Sequence, residues 1–269
     1  MNLGFCPLAS SSKGNSYIIK SEETFLLVDV GISGNKIKDI FKFMNISKRD
    51  IKGILITHEH SDHIKGVSKT LTFTEDCTVY CSKGTKDAII DKVYNMTEEN
   101  TRVVSAGETF MAGDIEVTAF SVSHDASEPL AYSFKKNGKK ISIVTDTGIV
   151  TDEIQEAIAD SDILALESNH EVNILLYGRY PYNIKRRILS DYGHLSNEAS
   201  GKCLCDFLKN LNGAKVPHVC LAHLSQENNT PEQAVLTIRN VLEEEDFYIG
   251  KNLRLDVLGA EEVNDMIII

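Results

Sequence analysis

Short apolar runs that end on glycine, histidine or aspartate recur along this chain, and they predict a strand-rich protein with helices interleaved. Leu3 to Leu8 is apolar. Ala9 to Asn15 is rich in small residues, which predicts a turn around Gly14, and Ser16 to Lys20 and Thr24 to Val28 resume strand-type patterns. Phe25-Leu26-Leu27-Val28 is apolar throughout, as expected of a strand covered on both faces. Ser33 then stands where it can cap a helix carrying Ile37, Ile40, Phe41 and Met44. Gly53 to Ile56 reads as another buried strand. Further strands are predicted at 110–111, 115–122, 130–134, 141–145, 160–167 and 216–222, with the turn Asn137-Gly138 joining two of them. Helical patterns cover 151–159, 196–211 and 231–245. No repeat, low-complexity tract or Pro-rich linker interrupts the pattern, so one domain over 1–269 is expected.

Composition narrows the class. A hydrophobic share of 42% and a charged share of 25% are ordinary for a well-cored globule. Met1 to Ser16 lacks the basic and apolar regions of an export signal, and no apolar stretch is long enough to span a bilayer. The expectation is a cytoplasmic protein without a membrane partner, its six scattered cysteines reduced. Cys203 and Cys205 fall in a helical pattern and are expected to serve packing. The formal charge of −11 excludes attraction of nucleic acid by the whole surface, so a phosphate-rich partner must be held by a local basic patch or by metal.

The chemistry concentrates in Thr57-His58-Glu59-His60-Ser61-Asp62-His63. Four potential metal ligands occupy six residues at i, i+2, i+4 and i+5. On a strand His63 would face away from the other three, and on a helix His60 would point away from His58. They converge if the chain wraps as a loop, and imidazole with carboxylate suits a divalent metal. Three further residues, His124, Asp146 and His223, each follow a predicted strand, where a rigid sheet can aim loop side chains at one point.

The order Asp29, then His58-x-His60-x-Asp62-His63, then His124, Asp146 and His223 resembles the motifs of the metallo-β-lactamase fold superfamily over nearly the whole chain. That resemblance implies an α/β fold, an αββα sandwich of two mixed β-sheets flanked by helices. It also implies two divalent ions, zinc or manganese, with iron acceptable to the same ligands. His58, His60 and His124 would hold one ion and Asp62, His63 and His223 the other. Asp146 would bridge them, and Asp29 would orient ligands from behind. The implied reaction is hydrolysis by a hydroxide bridging the two ions. Flavodiiron relatives typically have glutamate at the position of His60, which favours hydrolysis over redox chemistry here. True β-lactamases are exported and have cysteine in place of Asp146. Thioesterases of the fold share these ligands, so a thioester or lactone substrate stays open at this point.

The segment Tyr192-Gly193-His194-Leu195-Ser196 resembles the Gly-His-Ser/Thr element of RNase Z-type phosphodiesterases, which implies that His194 acts beside Asp62 on the scissile phosphate or its leaving oxygen. Ala9 to Ser16, Thr145-Asp146-Thr147-Gly148, Glu167-Ser168-Asn169-His170 and Gly193 to Asn197 together resemble the YycJ/WalJ group, linked to the WalRK cell-wall two-component system. That group implies a 5′→3′ exonuclease acting on DNA. Ala9-Ser10-Ser11 departs from it, since the group usually has a second glycine there. Basic and aromatic residues interleave in Tyr177 to Arg187, so Arg179, Lys185, Arg186 and Arg187 are candidates for holding phosphates and the tyrosines for stacking bases. Asn169 and His170 are candidates for lining the substrate pocket. A small-molecule phosphodiesterase is the main rival. A non-catalytic metal-binding module is the rival from another class, although structural metal sites are usually closed and four-coordinate. The sequence leaves the oligomeric state undetermined.

Overall fold

Small buried side chains build the first hairpin in the computed structural model, which describes residues 2–260 and 265–269. Met1, the first residue of the segment read for an export signal, lies outside the described residues. Gly4–Ser11 (β1) and Gly14–Lys20 (β2) pair antiparallel, with Ala9 opposite Ser16, Ser10 opposite Asn15 and Ser11 opposite Gly14. The predicted turn over 9–15 therefore shrinks to Ser12-Lys13. Ala9, Ser10 and Ser11 are small because they are buried in a strand, not because they turn. A register shift between Pro7 and Ala9 accommodates the proline.

The remaining elements follow in chain order: Phe25–Val28 (β3), Gly34–Phe43 (α1), Ile51–Leu55 (β4), Ser61–Ile64 (α2), Val67–Leu71 (α3), Thr78–Cys81 (β5), Lys83–Ile89 (α4) and Thr101–Val103 (β6). Thr109–Ala112 (β7), Ile115–Ser121 (β8), Leu130–Lys136 (β9) and Lys139–Val144 (β10) come next. Then come Asp152–Ile158 (α5), Ile163–Glu167 (β11), Val172–Tyr177 (α6), Tyr182–Ile188 (α7) and Asn197–Leu211 (α8). His218–Ala222 (β12), Pro231–Glu244 (α9), Arg254–Val257 (β13) and Ile267–Ile268 (β14) complete the list. The fold is α/β, with the strands in two mixed seven-stranded sheets, and the chain divides into two compact units.

The first unit holds 2–121, 126–139 and, of the described residues, 259–260 and 265–269. Its sheet runs β14-β1-β2-β3-β4-β5-β6, antiparallel as far as β3 and parallel from β3 to β6. The antiparallel strands β7, β8 and β9 pack on this sheet. Tyr132 on β9 donates its hydroxyl to the carbonyl of Ile56 at 2.9 Å, and the Tyr80 and Phe110 rings stack 5.0 Å apart. Helix α1 forms because Ser33 accepts the amide of Lys36, and its buried stripe is Ile37, Ile40 and Phe41. These side chains join Leu27, Ile54 and Val79 in the core.

The second unit holds 122–125 and 140–258, with β10, β11, β12 and β13 running parallel. Helix α8 is capped by Ser196 and ends at Asn212 in the left-handed conformation. Helix α9 has Thr230 as its cap and Pro231 in its first turn, where proline fits. Gly201 on α8 lets α9 approach closely, since a Cβ there would lie 2.9 Å from Cβ of Val241. Cys203 and Cys205 are buried free thiols of α8. Among the described residues, no helix is long and apolar enough to cross a membrane.

Candidate metal centre

In the first unit, β3 and β4 run parallel and end side by side, and their ends supply the site. Asp29 follows β3 in the left-handed region, at φ 55°, a conformation that aspartate tolerates better than most residues. Its carboxylate is fully buried and collects three donors. Oδ1 accepts the amide of Thr57, and Oδ2 accepts the Thr57 hydroxyl and His63 Nδ1, each at 2.8 Å. Burial raises the pKa of Asp29, and the charge and hydrogen bonds of His63 with those of Thr57 offset part of the rise.

The Thr57 hydroxyl has one proton, and Asp29 takes it. Toward His58 Nδ1, 3.0 Å away, the hydroxyl can therefore only accept. Both His58 and His63 thus carry hydrogen on Nδ1, so the lone pair lies on Nε2 in each ring. His58 Nε2 is 3.0 Å from His60 Nδ1, and His63 Nε2 is 3.5 Å from Asp62 Oδ2 and 3.2 Å from Asn15 Nδ2. The expected open loop contains one helical turn: His60 occupies the cap position of α2, and Asp62 and His63 lie within α2. A single turn lets adjacent residues project about 100° apart, which spreads Asp62 and His63 without reversing either.

The second unit gathers Asp146, His194 and His223 around a residue not assigned from the sequence, Glu167, with the His124 ring 5.1 Å from that of His194. Glu167 ends β11 and is fully buried. Its Oε1 lies 2.8 Å from His194 Nδ1 and 2.9 Å from His223 Nδ1, while Oε2 accepts the amides of Thr147 at 2.9 Å and Leu195 at 3.3 Å. Burial works to raise the pKa of Glu167, but the charge and hydrogen bonds of His194 and His223 hold it well below the usual carboxylate range. An ionised carboxylate only accepts, so both rings carry hydrogen on Nδ1 and present Nε2 as the other atom. His124 Nδ1 is 3.1 Å from the carbonyl of Gly193, which assigns the same tautomer.

Asp146 Oδ1 lies 3.3 Å from His223 Nδ1 and 3.8 Å from His124 Nε2. Asp146 and His223 are left-handed, at φ 59° and 55°, where their strands break off sharply. Burial lowers the pKa of His124, against a raising pull from Asp146, and so favours the neutral ring that binds metal. In the cluster of Asp146, Glu167, His194 and His223, the potential ligand atoms all lie within 4.8 Å of one another. Neutral imidazoles with locked Nδ1 and carboxylates beside them suit divalent metal.

A family model described as a beta-lactamase superfamily domain matches residues 26–224. The chain is 42% identical over 251 residues to exodeoxyribonuclease YycJ of Bacillus anthracis, with 93% of each chain covered. It is 38% identical over 250 residues to exodeoxyribonuclease WalJ of Streptococcus pneumoniae, covering 92% of this chain and 91% of that one. The chain belongs to the YycJ/WalJ family of the metallo-β-lactamase superfamily. The fold agrees: the metallo-β-lactamase fold protein YhfI from Bacillus subtilis superposes with a TM-score of 0.72 at 14% identity, covering 98% of both chains.

Within this YycJ/WalJ-family chain, the other sequence candidates take different places. Asn169 and His170 are buried in the second unit, and Asn169 Nδ2 donates to the carbonyl of His223 at 2.9 Å, so Asn169 braces the backbone of a candidate ligand. Lys185 Nζ donates to the carbonyls of Leu176 and Gly178, both at 2.8 Å, closing the end of α6. Arg187 pairs with Asp125, the neighbour of His124, at 2.5 and 2.7 Å. Arg179 and Arg186 are exposed, as are Tyr177 and Tyr182. Glu167 was missed although a signal for it exists. It sits at the end of an apolar strand, the rule that selected His124, Asp146 and His223.

Proposed function

We infer that this chain is a metal-dependent exodeoxyribonuclease, one functional domain working in the cytoplasm. The observation that carries the reading is the repeated tautomer lock. His58, His63, His124 and His223 each have Nδ1 held by an oxygen, in a chain 42% identical to an exodeoxyribonuclease over 93% of its length. Buried free cysteines support a reducing compartment. We propose two ions per chain, zinc or manganese with iron as the other option. His58, His60 and His124 would hold one, Asp62, His63 and His223 the other, and Asp146 both.

Such ions supply Lewis acidity and neutralise charge that develops on phosphate oxygens. The protein supplies the rest. Asp29, Thr57 and Glu167 fix the rings. His194, with Nδ1–H held by Glu167, carries or takes a proton at Nε2, at the scissile phosphate or its leaving oxygen. Arg179 and Arg186, with the exposed tyrosines Tyr177 and Tyr182, are proposed to hold the strand beside the site. Asn169 and His170 support the pocket wall from behind, and Lys185 and Arg187 brace the segment.

Manganese- or zinc-loaded protein is expected to shorten 5′-phosphorylated DNA from its 5′ end. Asp62→Ala should lower the rate by at least about a hundredfold, beyond what loss of an outer partner costs. Hydrolysis of bis-p-nitrophenyl phosphate with every DNA left intact would instead point to a small-molecule phosphodiesterase. Full metal loading with no hydrolysis of any phosphodiester would end the enzyme reading.

A further inference from the structure

The first unit has a small cavity of about 180 Å³ lined by Ser11, Lys13, Gly14, Gly31, Ile32, Ser33, Lys36, Lys65 and Ala260. Three lysines meet there on a chain whose formal charge is −11, and among the described residues no carboxylate lines it. Its volume is below the several hundred Å³ typical of sites for drug-sized molecules, so it suits a small group. Lys13 and Lys65 are exposed and Lys36 is half-buried, which leaves the cations at the mouth. Ser33 caps α1 and accepts the amide of Lys36, so its hydroxyl hydrogen is left to donate. The ten-residue helix adds the positive end of its dipole to the same wall.

Each wall is tied to the metal-ligand loop of that unit. Gly14 precedes Asn15, whose Nδ2 is 3.2 Å from His63 Nε2. Lys65 follows His63 by two residues at the end of α2. Gly31 lies so close to the loop that a Cβ on it would be 1.6 Å from the carbonyl oxygen of Asp62, and a Cβ on Gly14 would be 2.8 Å from the carbonyl oxygen of Gly31. The amide of Gly31 also donates to Asn15 at 2.7 Å. Glycine is required at both positions for this approach.

We propose that this lysine pocket binds a phosphate group of the DNA strand, a second anchoring point besides the metal ligands. The assignment rests on the exodeoxyribonuclease reading. Lysine ammonium groups and a hydroxyl give charge-assisted hydrogen bonds to phosphate oxygens in any sequence context, as an enzyme that degrades DNA stepwise needs. Because the walls are fixed to the loop carrying Asp62 and His63, a phosphate seated here sets the register of the strand against those ligands.

The test is equilibrium binding of a fluorescent single-stranded DNA by the full chain in chelator, where cleavage cannot occur. Replacing Lys13, Lys36 and Lys65 together by glutamine should weaken binding at least about tenfold and make the slope of log affinity against log salt shallower by about 0.7, the amount for one contacted phosphate. Replacing all three by arginine should retain binding. Should the glutamine triple melt lower than wild type, Lys13→Gln with Lys65→Gln, both exposed, carries the same test. Wild-type affinity and slope in the glutamine triple, with wild-type protein still degrading DNA, would overturn the pocket and leave the nuclease reading standing. Loss of orthophosphate binding, read by phosphorus NMR, with DNA binding unchanged would make it a free-phosphate site and overturn the DNA assignment. Wild-type protein that neither binds nor cleaves DNA would remove both.

Discussion

Four histidines are prepared as candidate ligands by what touches the far side of the ring. Thr57 and Asp29 hold Nδ1 of His58 and His63, the Gly193 carbonyl holds that of His124, and Glu167 holds that of His223. His170 in the same unit is the counterexample. It is buried, and among the described residues neither ring nitrogen has a hydrogen-bond partner. Burial therefore lowers its pKa to about 4 from the ordinary histidine value of 6.5, with Glu167 opposing and His194 adding to the fall. Because the folded value is the depressed one, protons favour the unfolded chain between these two values. The stabilisation due to a neutral His170 is complete above pH 6.5 and is lost as pH falls toward 4. At pH 5 the loss is roughly 2 kcal/mol. In chelator, urea unfolding of wild type should weaken between pH 7.5 and pH 5 by about that much more than unfolding of His170→Phe, which keeps an apolar ring. Equal losses in the two proteins would show that His170 titrates normally.

Among the elements, length decided what the sequence revealed. The ten-residue α1, fifteen-residue α8 and fourteen-residue α9 carry a full apolar stripe and a side-chain cap, and each was predicted within a residue or two. The short helices α2, α3, α4, α6 and α7 have four to seven residues, fewer than two helical turns, so no periodicity marks them, whereas α5, also of seven residues, is the exception and was predicted over 151–159. Close helix approach is equally invisible in one dimension. Gly201 looks like a weak point in α8, where alanine would improve helix propensity by about 1 kcal/mol. The structure reverses that sign, because the added Cβ would sit 2.9 Å from Cβ and 3.0 Å from Cγ1 of Val241, atoms anchored close to the α9 backbone. Overpacking of this kind costs about 1–3 kcal/mol. Gly201→Ala should therefore lower unfolding free energy by about 1 kcal/mol, and Val241→Ala in the same chain should recover most of it. A stabilised single variant would mean that α9 yields freely.

At the scale of the whole molecule, a formal charge of −11 means that a phosphate-rich strand would approach against the net field and would be held only where cations or metal reverse it locally. The candidate ligands of residues 58–63 were legible because their spacing fits no ordinary element. Glu167 and Thr57 were not, because a glutamate ending a strand and a threonine beside a histidine are common, and their roles exist only through partners distant in sequence. These prearranged groups make metal a ligand of the folded state. The unfolded chain disperses them, so metal at a hundredfold over its Kd should stabilise the fold by about 2.7 kcal/mol. That corresponds to a Tm rise of roughly 5–10 °C for a chain of this size. Protein stripped by chelator should accordingly melt lower than protein reloaded with manganese or zinc, and Tm should climb with the logarithm of added metal. Glu167→Gln removes the carboxylate charge and leaves a donor-only NH2 facing either the Thr147 and Leu195 amides or the two Nδ1–H groups, so the metal concentration at half-rise should shift upward about 10–100-fold. Reading the half-rise rather than the absolute Tm separates lost ring orientation from the cost of altering a buried carboxylate. A wild-type Tm indifferent to metal would mean that the folded chain does not hold the ions. An unshifted half-rise in Glu167→Gln would mean that His194 and His223 are oriented without it.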